Sequence, residues 1–571
     1  MKKALFVFTI GPVKSLINQS RKIRDLYAGS YLLSFLMSKA IEELQKKKRV
    51  EIIFPSVQTD KDNSIPNRLV AIISGYTESE QERLGTSLAA YTQNAFIDIC
   101  NRIFDKLSIT PNQWAKEQLE RFLEVFWVFQ EYERYEAGYP QMVRSINGLK
   151  KLRMFAQTNE PYGRKCTLYP ESNIVFAKSS SGKFQKFVLP EQIVDITDTD
   201  SCKYAIKPTE GLSSVALVKR MLSILWNEKE DGSPVLTGYR SNISSVAYML
   251  LKSRLGTTYE ADLKMLGDEA SETIFDLQNG QILSEDEYRL ESIDAAKELY
   301  KKIKNNHIVI SPYYALVKFD GDGMGNLYLT HPDMDFHQRL SADLCGFATS
   351  VRGIISRHHG ICIYAGGEDF LGFLPLDSLF NALFELHKEF PNQVKTPQGH
   401  STPLTFSAGI AIGHIMQPLD ELIAKSSELE ASAKSIDKNK NAFAIELMKR
   451  SGEKITIINK FGIDCENLKI VYATLLDLQE NKYSKAFVQN LTEVLERIKD
   501  TEDDEKHHMV QTLIKQALKL SDTTVNHDQQ AEDFFRLYQR FSFSIAQFID
   551  VLQAVSFLSR EVESCSTKSM L

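Results

Sequence analysis

No histidine occurs before His307; all eleven lie at or beyond it. A metal nuclease built on a His-Asp pair is therefore excluded from the first half, because such centres need imidazole ligands. His527-Asp528 reads as an isolated pair in a polar linker, where no metal role is expected. Cysteine is nearly as scarce: seven, at 100, 166, 202, 345, 362, 465 and 565, with no CxxC pair. No disulfide framework is encoded, and the pattern fits a reducing cytoplasm. Charge of one sign is not in excess either. Sixty-eight Lys and Arg against 74 Asp and Glu give a net charge of −6, which excludes a chain that grips nucleic acid over its whole surface. Local clusters such as Lys46-Lys47-Lys48-Arg49 and Lys150-Lys151-Leu152-Arg153 read as solvated helix ends. Long apolar runs are missing. Met1–Ile10 carries two lysines and a short apolar run, but Gly11-Pro12 and Lys14 interrupt it and no small-residue cleavage site follows. It reads as a first strand, and no membrane association is expected.

What is present divides a 571-residue chain into several domains. Ala4–Ile10 has a strand pattern, and Pro12 opens a helix marked by Leu16, Ile17, Ile23 and Leu26. Leu32, Leu33, Phe35, Leu36, Ala40 and Ile41 continue at helical spacing, and Val50–Phe54 and Arg68–Ile73 read as strands. This β-α-β-β order opens a ferredoxin-like palm, one without acids at its hairpin. Residues 80–158 read as helical with Trp114 and Trp127 in a core. Residues 160–235 read as short strands and turns, including Ser179-Ser180-Ser181-Gly182, and 237–305 as helix.

A second palm is clearer. Tyr313–Phe319 is a strand, followed by a helix over Phe336–Ser356, a hairpin over Ile361–Phe373 and a helix over 377–389. The strand Thr405–Ile412, a helix over 418–436 and a strand at Ala442–Leu447 complete it. From about 455 the pattern is helical, broken at Glu502-Asp503-Asp504-Glu505 and ending in a disordered tail, Ser564–Leu571. The fold class is α+β, with two ferredoxin-like palms. Residues 1–155 form a degenerate palm with a helical insertion and 156–305 an inter-palm helical domain. Residues 306–452 form the catalytic palm and 453–571 a C-terminal helical domain.

The hairpin carries Gly366-Gly367-Glu368-Asp369 at its tip. Two like charges ~4 Å apart repel by roughly 4 kcal/mol at an effective dielectric of about 20. A divalent cation removes that penalty, and oxygen ligands suit Mg²⁺. Palm order brings Asp320, at the end of Tyr313–Phe319, beside the hairpin. Asp320, Glu368 and Asp369 are then the three carboxylates a two-metal nucleotidyl transfer needs. Gly321, Gly323 and Gly325 suit a loop whose backbone amides hold phosphates, although no Gly-Lys-Ser/Thr follows as in a P-loop. Asp322 either caps the next turn or binds metal. Lys434, with Lys438 and Lys440 beyond it, ends the last palm helix, where a cation could meet triphosphate; a solvated surface role is the alternative.

The motifs Asp-Gly-Asp-x-Met-Gly, Tyr-Ala-Gly-Gly-acid-Asp and Ser-Ala-Gly-Ile-x-Ile-x-His occur in that order, with Ala-Lys and Lys-Asn beyond them. Near the start stand Phe8–Val13 and Arg24-Asp25-Leu26-Tyr27-Ala28-Gly29-Ser30. Together they resemble the large polymerase/cyclase subunit of type III CRISPR effector complexes, in its Cmr form, across nearly the whole chain. The resemblance implies two facing palms with two nucleotides between them, and activation by target RNA. The reaction implied is transfer of AMP from ATP to a ribose hydroxyl with release of pyrophosphate, making a second messenger. The product is either a cyclic oligoadenylate or AMP joined to S-adenosylmethionine. Asp320, Glu368 and Asp369 become ligands of Mg²⁺ (or Mn²⁺), and Gly366 and Gly367 the nucleotide-binding turn. Gly321, Asp322, Gly323, Gly325, Lys434 and Lys440 line the nucleotide. The implied partners are other Cmr subunits, CRISPR RNA, target RNA and ATP, in the cytoplasm.

Three departures stand out. Glu368 replaces the usual Asp, the HD nuclease of many members is expected to be absent, and so is zinc. In place of two CxxC pairs, Cys166-Thr167-Leu168-Tyr169 keeps one cysteine and Ser213-Ser214-Val215-Ala216 none. A Gly-Gly-acid-acid hairpin alone equally suggests a diguanylate-cyclase-like enzyme, and a catalytically inactive scaffold subunit is the non-enzymatic alternative.

Overall fold

The computed structural model describes residues 2–56, 65–152, 160, 162–178, 190–203, 205–230, 233–241, 243–285, 288–391, 393–499, 506–520 and 527–562. Ser179–Gly182, Glu502–Glu505, Arg153 and Ser564–Leu571 lie outside them. Among the described residues no single helix is long and apolar enough to cross a membrane.

The first palm runs β1 (Lys3–Gly11), α1 (Val13–Asn18), α2 (Ile23–Gln45), β2 (Val50–Phe54), β3 (Arg68–Ser74), α3 (Glu78–Lys106), α4 (Gln113–Glu120), β4 (Glu124–Tyr132) and α5 (Tyr135–Lys151). Its antiparallel sheet has the order β2-β3-β1-β4, the ferredoxin-like arrangement. Strand β4 departs from the helical expectation for residues 80–158. It pairs with β1 along its full length, from Lys3↔Tyr132 to Gly11↔Glu124. The run Val125-Phe126-Trp127-Val128-Phe129 explains this: β-branched and aromatic side chains lose rotamer freedom in a helix and pack well on a pleated surface. Trp127 is half-buried under α3, where an added Cβ on Gly85 would stand 2.5 Å from its ring.

The inter-palm segment holds a small sheet of β5 (Phe176–Ala177), β6 (Val194–Asp195) and β7 (Gly211–Leu212), then α6 (Ser214–Met221) and the ribbon β8 (Lys229–Glu230) with β9 (Ser233–Pro234). Helices α7 (Val246–Leu255), α8 (Glu260–Leu266), α9 (Glu272–Gln278) and α10 (Leu290–Asn305) follow. The zinc-ligand positions form a hydrogen-bonded hub instead. Cys166 Sγ accepts from the amides of Leu168 (3.4 Å), Tyr169 (3.2 Å) and Ser213 (3.1 Å), and Ser213 Oγ caps α6 by accepting from Ala216. Among the described residues no group of three His, Cys, Asp or Glu side chains forms around Cys166, and a single thiol does not fit zinc.

The Arg24–Ser30 motif latches the first palm to this segment. Asp25 accepts two bonds from Arg220, at 2.7 and 2.9 Å, and Glu210 adds a second carboxylate at 3.2 Å. Lys219 donates to Leu16 O, Gln19 O and Ser20 Oγ, and burial lowers its pKa to about 8. Arg24 pairs with Asp268 at 2.8 Å, and Gly29 is needed because a Cβ there would meet the Leu16 carbonyl at 2.8 Å.

The second palm runs β10 (Tyr313–Gly321), α11 (Met324–Thr330), α12 (Met334–Arg357), β11 (Ile361–Gly366), β12 (Asp369–Pro375) and α13 (Leu376–Glu389). It continues with the ribbon β13 (Gln393–Lys395) and β14 (Ser401–Pro403), then β15 (Phe406–His414), α14 (Leu419–Lys434), β16 (Ala442–Met448) and β17 (Lys454–Lys460). The sheet order is β11-β12-β10-β15-β16-β17. The sheet therefore extends past residue 452, where the helical domain was expected to begin. β17 pairs with β16 from Ala442↔Lys460 to Met448↔Lys454, and its buried positions alternate, which is strand rather than helix periodicity. The terminal helices are α15 (Glu466–Gln479), α16 (Lys485–Ile498), α17 (Lys506–Lys519), α18 (His527–Arg540) and α19 (Ile545–Glu561). His527-Asp528 opens a helix rather than sitting in a linker.

One face of the second sheet carries Val317, Phe319 and Phe370 against α12, and the other carries Leu316 and Phe373 against the core shared with α2 and α14. The two palms also touch directly. Tyr135 Oη lies 2.8 Å from His337 Nδ1, the Ser56 amide donates to Ser341 Oγ at 3.0 Å, and the Phe54 and Tyr328 rings are 5.8 Å apart.

Candidate active site

Backbone pairing brings the predicted acids together. Phe319 pairs with Phe370 across β10 and β12, so the next step along each strand sets Asp320 beside Asp369. Gly366 pairs with Asp369, leaving Gly367-Glu368 as a two-residue turn; Gly367 has φ +73°, which glycine adopts without strain. The Gly321 amide donates to the Glu368 carbonyl at 3.1 Å, and a Cβ on Gly321 would stand 2.7 Å from that of Glu368. Loop and hairpin are thus locked to each other. Beneath them Phe319 packs on Phe370 and Phe406, with ring centroids 4.8 and 4.5 Å apart, a rigid apolar floor.

The electrostatics show a site short of positive charge. Burial, then the charge of Asp320, raises the Asp369 pKa to about 7, and burial with Asp320 also raises that of Glu368. Lys434 donates to Asp320 Oδ2 and pairs with Glu430 at 2.7 Å. Burial opposes its charge, but the bonds from Asp320 and Glu430 outweigh that and hold its pKa above the usual value. Lys318 pairs with Glu430 at 2.9 Å and donates to Ser427 Oγ at 3.1 Å. Burial works against the Glu430 charge, yet Lys434 and Lys318 together keep its pKa low. With all four carboxylates ionised, two ammonium groups leave two negative charges uncancelled, and the raised Asp369 and Glu368 show that this charge is costly without a cation, which suits a divalent ion with oxygen ligands. The donor set fits such an ion. As the side chains stand, no three His, Cys, Asp or Glu groups among the described residues are close enough to hold one, and Asp320 is paired with Lys434.

Not every predicted residue joins this cluster through its side-chain bonds. Asp322 does not cap α11, and its Oδ1 is buried without a hydrogen-bond partner among the described residues. Its Oδ2 accepts from Thr405 Oγ1 (2.8 Å), Asn441 N (3.0 Å) and Ser407 Oγ (3.1 Å), anchoring the loop to β15 and β16. Gly323 is the cap, at φ +71°, and a Cβ on Gly323 or Gly325 would meet nothing within 4 Å, so the loop backbone is open to a ligand. Lys440 makes a left-handed turn, φ +51°, and forms no ion pair among the described residues; Lys438 is exposed. Three participants are not among the predicted site residues: Lys318, Glu430 and Tyr364, the last standing in the hairpin motif without a role assigned to it. Lys318 is two residues before Asp320 and so on its face of β10, and Glu430 is four before Lys434 on α14. Tyr364 lies over Gly366, where a Cβ would come 2.1 Å from the tyrosine hydroxyl. Burial first, then Asp369, Glu368 and Asp320, push its pKa well up. Two cavities, of about 1090 and 1150 Å³, lie away from this cluster and include none of the three acids.

Comparison with known proteins agrees with the two-palm architecture. The family model "Cas10/Cmr2, second palm domain" matches residues 313–444, and "CRISPR-associated protein Cmr2, N-terminal" matches residues 5–124. The CRISPR system Cmr subunit Cmr2 of Pyrococcus furiosus is 26% identical over 546 residues, covering 78% of this chain and 61% of that protein. The chain thus spans about 61% of the length of this curated relative. Two solved structures share the fold. The type III-B Cmr-beta apo state gives a TM-score of 0.62 at 13% identity, covering 98% of this chain and 82% of that one. Cmr-beta bound to cognate target RNA gives 0.65 at 15%, covering 98% and 83%. Both family models fall in chain order on the two sheets described above, and the curated relative aligns along most of the chain: in both palms it is similar to Cas10/Cmr2 proteins.

Proposed function

We propose that this chain is the nucleotidyltransferase subunit of a type III-B CRISPR effector complex, working with other Cmr subunits, CRISPR RNA and target RNA. The observation that carries the reading is the locked edge on which Asp320, Glu368 and Asp369 sit on adjoining backbone, with more carboxylates than ammonium groups around them. The donor is ATP. A ribose hydroxyl of the acceptor attacks the α-phosphorus, the bond to the bridging oxygen of the β-phosphate breaks, and pyrophosphate leaves while the hydroxyl gives up its proton. Asp320, Glu368 and Asp369 would hold Mg²⁺ (or Mn²⁺), which supplies charge neutralisation at the phosphates and lowers the pKa of the attacking hydroxyl. The uncovered backbone at Gly323 and Gly325 admits the triphosphate, and Lys434 offers it a cation. Tyr364 and the Phe319 floor keep the hairpin from yielding as the nucleotide seats.

The acceptor is a second ATP, giving a cyclic oligoadenylate, or S-adenosylmethionine, giving an AMP conjugate. Both need the same bond-making step. The test is pyrophosphate release by the assembled complex with target RNA, ATP and Mg²⁺. Asp320→Ala and Asp369→Ala abolish it while leaving assembly intact; undiminished release in either variant overturns the proposal. The Lys434–Asp320 pair favours a second reading, a scaffold whose palm no longer turns over, and that reading predicts no release by the unmodified chain.

A further inference from the structure

The ion pairs around α14 do more than balance charge. Lys434 bridges Asp320 and Glu430, while Glu430 uses its other oxygen for Lys318, itself fixed by Ser427. Lys318 belongs to the rigid centre of β10, so one end of the chain Ser427–Lys318–Glu430–Lys434–Asp320 is anchored in the sheet. The other end is a lysine at the last turn of α14 against Asp320, which at about one-third is the most exposed charged member of the chain. Lys318 and Lys434 both hold Glu430, whereas Asp320 is held by Lys434 alone among the ion pairs of the described residues, so the Lys434–Asp320 contact is the one that can come apart.

We propose that Lys434 is an internal placeholder for the divalent ion, with Glu430 as the pivot on which it turns. In the ligand-free chain its ammonium occupies the Asp320 side of the carboxylate cluster and keeps three acids from closing on a metal. When cation and nucleotide load, the metal takes Asp320. Lys434, still tethered by Glu430, moves to the phosphate charge. Glu430 is thus a positioning residue, acting through two lysines. This rests on the nucleotidyltransferase reading and adds a competition that the reading alone does not require.

The competition is measured on the full chain without nucleotide or RNA, by Mn²⁺ binding followed by electron paramagnetic resonance. Lys434→Met and Lys318→Met each remove one positive charge from the same cluster, but only Lys434 touches Asp320. General electrostatics alone predicts equal gains in Mn²⁺ affinity. The placeholder predicts a gain for Lys434→Met at least about tenfold larger than for Lys318→Met, and loss of that gain in the Lys434→Met, Asp320→Asn double variant. Circular dichroism on each variant guards against misfolding. In the assembled complex, Lys434→Met raises the KM for ATP more than it lowers kcat. Equal gains for the two lysine variants overturn the placeholder while leaving the metal site standing. Absence of Mn²⁺ binding in every chain overturns the placeholder and the reading beneath it together.

Discussion

Asp369 should cost the protein stability when no cation is present, and removing its charge should return it. Burial and Asp320 raise its pKa from an ordinary 3.8 to about 7 in the folded chain. A carboxyl whose folded pKa is raised binds its proton more tightly folded than unfolded, so stability falls as pH rises from about 4 to 7 and stays low above that. At roughly 1.4 kcal/mol per tenfold, the rise corresponds to at most about 4 kcal/mol above pH 7. Residual water access makes about 2 kcal/mol the working expectation. Asp369→Asn keeps the shape and removes the charge. In EDTA at pH 8 it should raise the melting temperature of the second palm by about 4–8 °C, using roughly 2–4 °C per kcal/mol for a domain of that size. The gap should shrink as pH falls from 7 towards 4. Mg²⁺ should raise the wild-type melting temperature at pH 8 and leave Asp369→Asn unmoved. The assay is thermal unfolding of the full chain, read at several wavelengths because several domains need not melt together. An unchanged or lower melting temperature for Asp369→Asn at pH 8 would refute the reasoning.

Two other perturbations follow from the packing. Asp25→Asn leaves Arg220 buried with Glu210 as its one charged partner among the described residues, and breaking such a pair costs about 3–5 kcal/mol; chemical denaturation should show the first palm unfolding earlier. Gly321→Ala forces a Cβ to 2.7 Å from Glu368 and 2.8 Å from the Met324 side chain. Overpacking of that kind costs about 1–3 kcal/mol, and pyrophosphate release should fall even though no acid is touched. A fully active Gly321→Ala would mean that the loop and hairpin are not locked.

Much of this was readable in the residues. The acidic hairpin, the strand before Asp320 and the helices between them follow from apolar periodicity and turn chemistry, which are local signals. β4 and β17 were not read as strands. The aromatic run of β4 lies in a helical stretch, and β17 is short and lies beyond the expected palm boundary. Both acquire their identity from strands far away in sequence, β1 and β16. The site shows the same division. Asp320, Glu368 and Asp369 are marked by glycines and adjacent charge, whereas Glu430 and Lys318 are ordinary residues on an ordinary helix and strand until α14 crosses the sheet. Asp322, part of the most conspicuous motif, anchors the loop through one oxygen, which meets Thr405, Ser407 and Asn441, while its other oxygen is buried without a hydrogen-bond partner among the described residues. How the bonds of two acids two residues apart are shared out is decided by the turn after β10, and glycine-rich turns do not declare that in sequence.

The account's central claim is that this palm edge transfers AMP. The direct measurement is mass identification of products after the assembled complex is incubated with target RNA, labelled ATP, Mg²⁺ and S-adenosylmethionine. The account predicts pyrophosphate together with a labelled adenylate, either a cyclic oligomer or an S-adenosylmethionine conjugate, formed only when target RNA is present. Labelled ATP recovered unchanged under those conditions would contradict it.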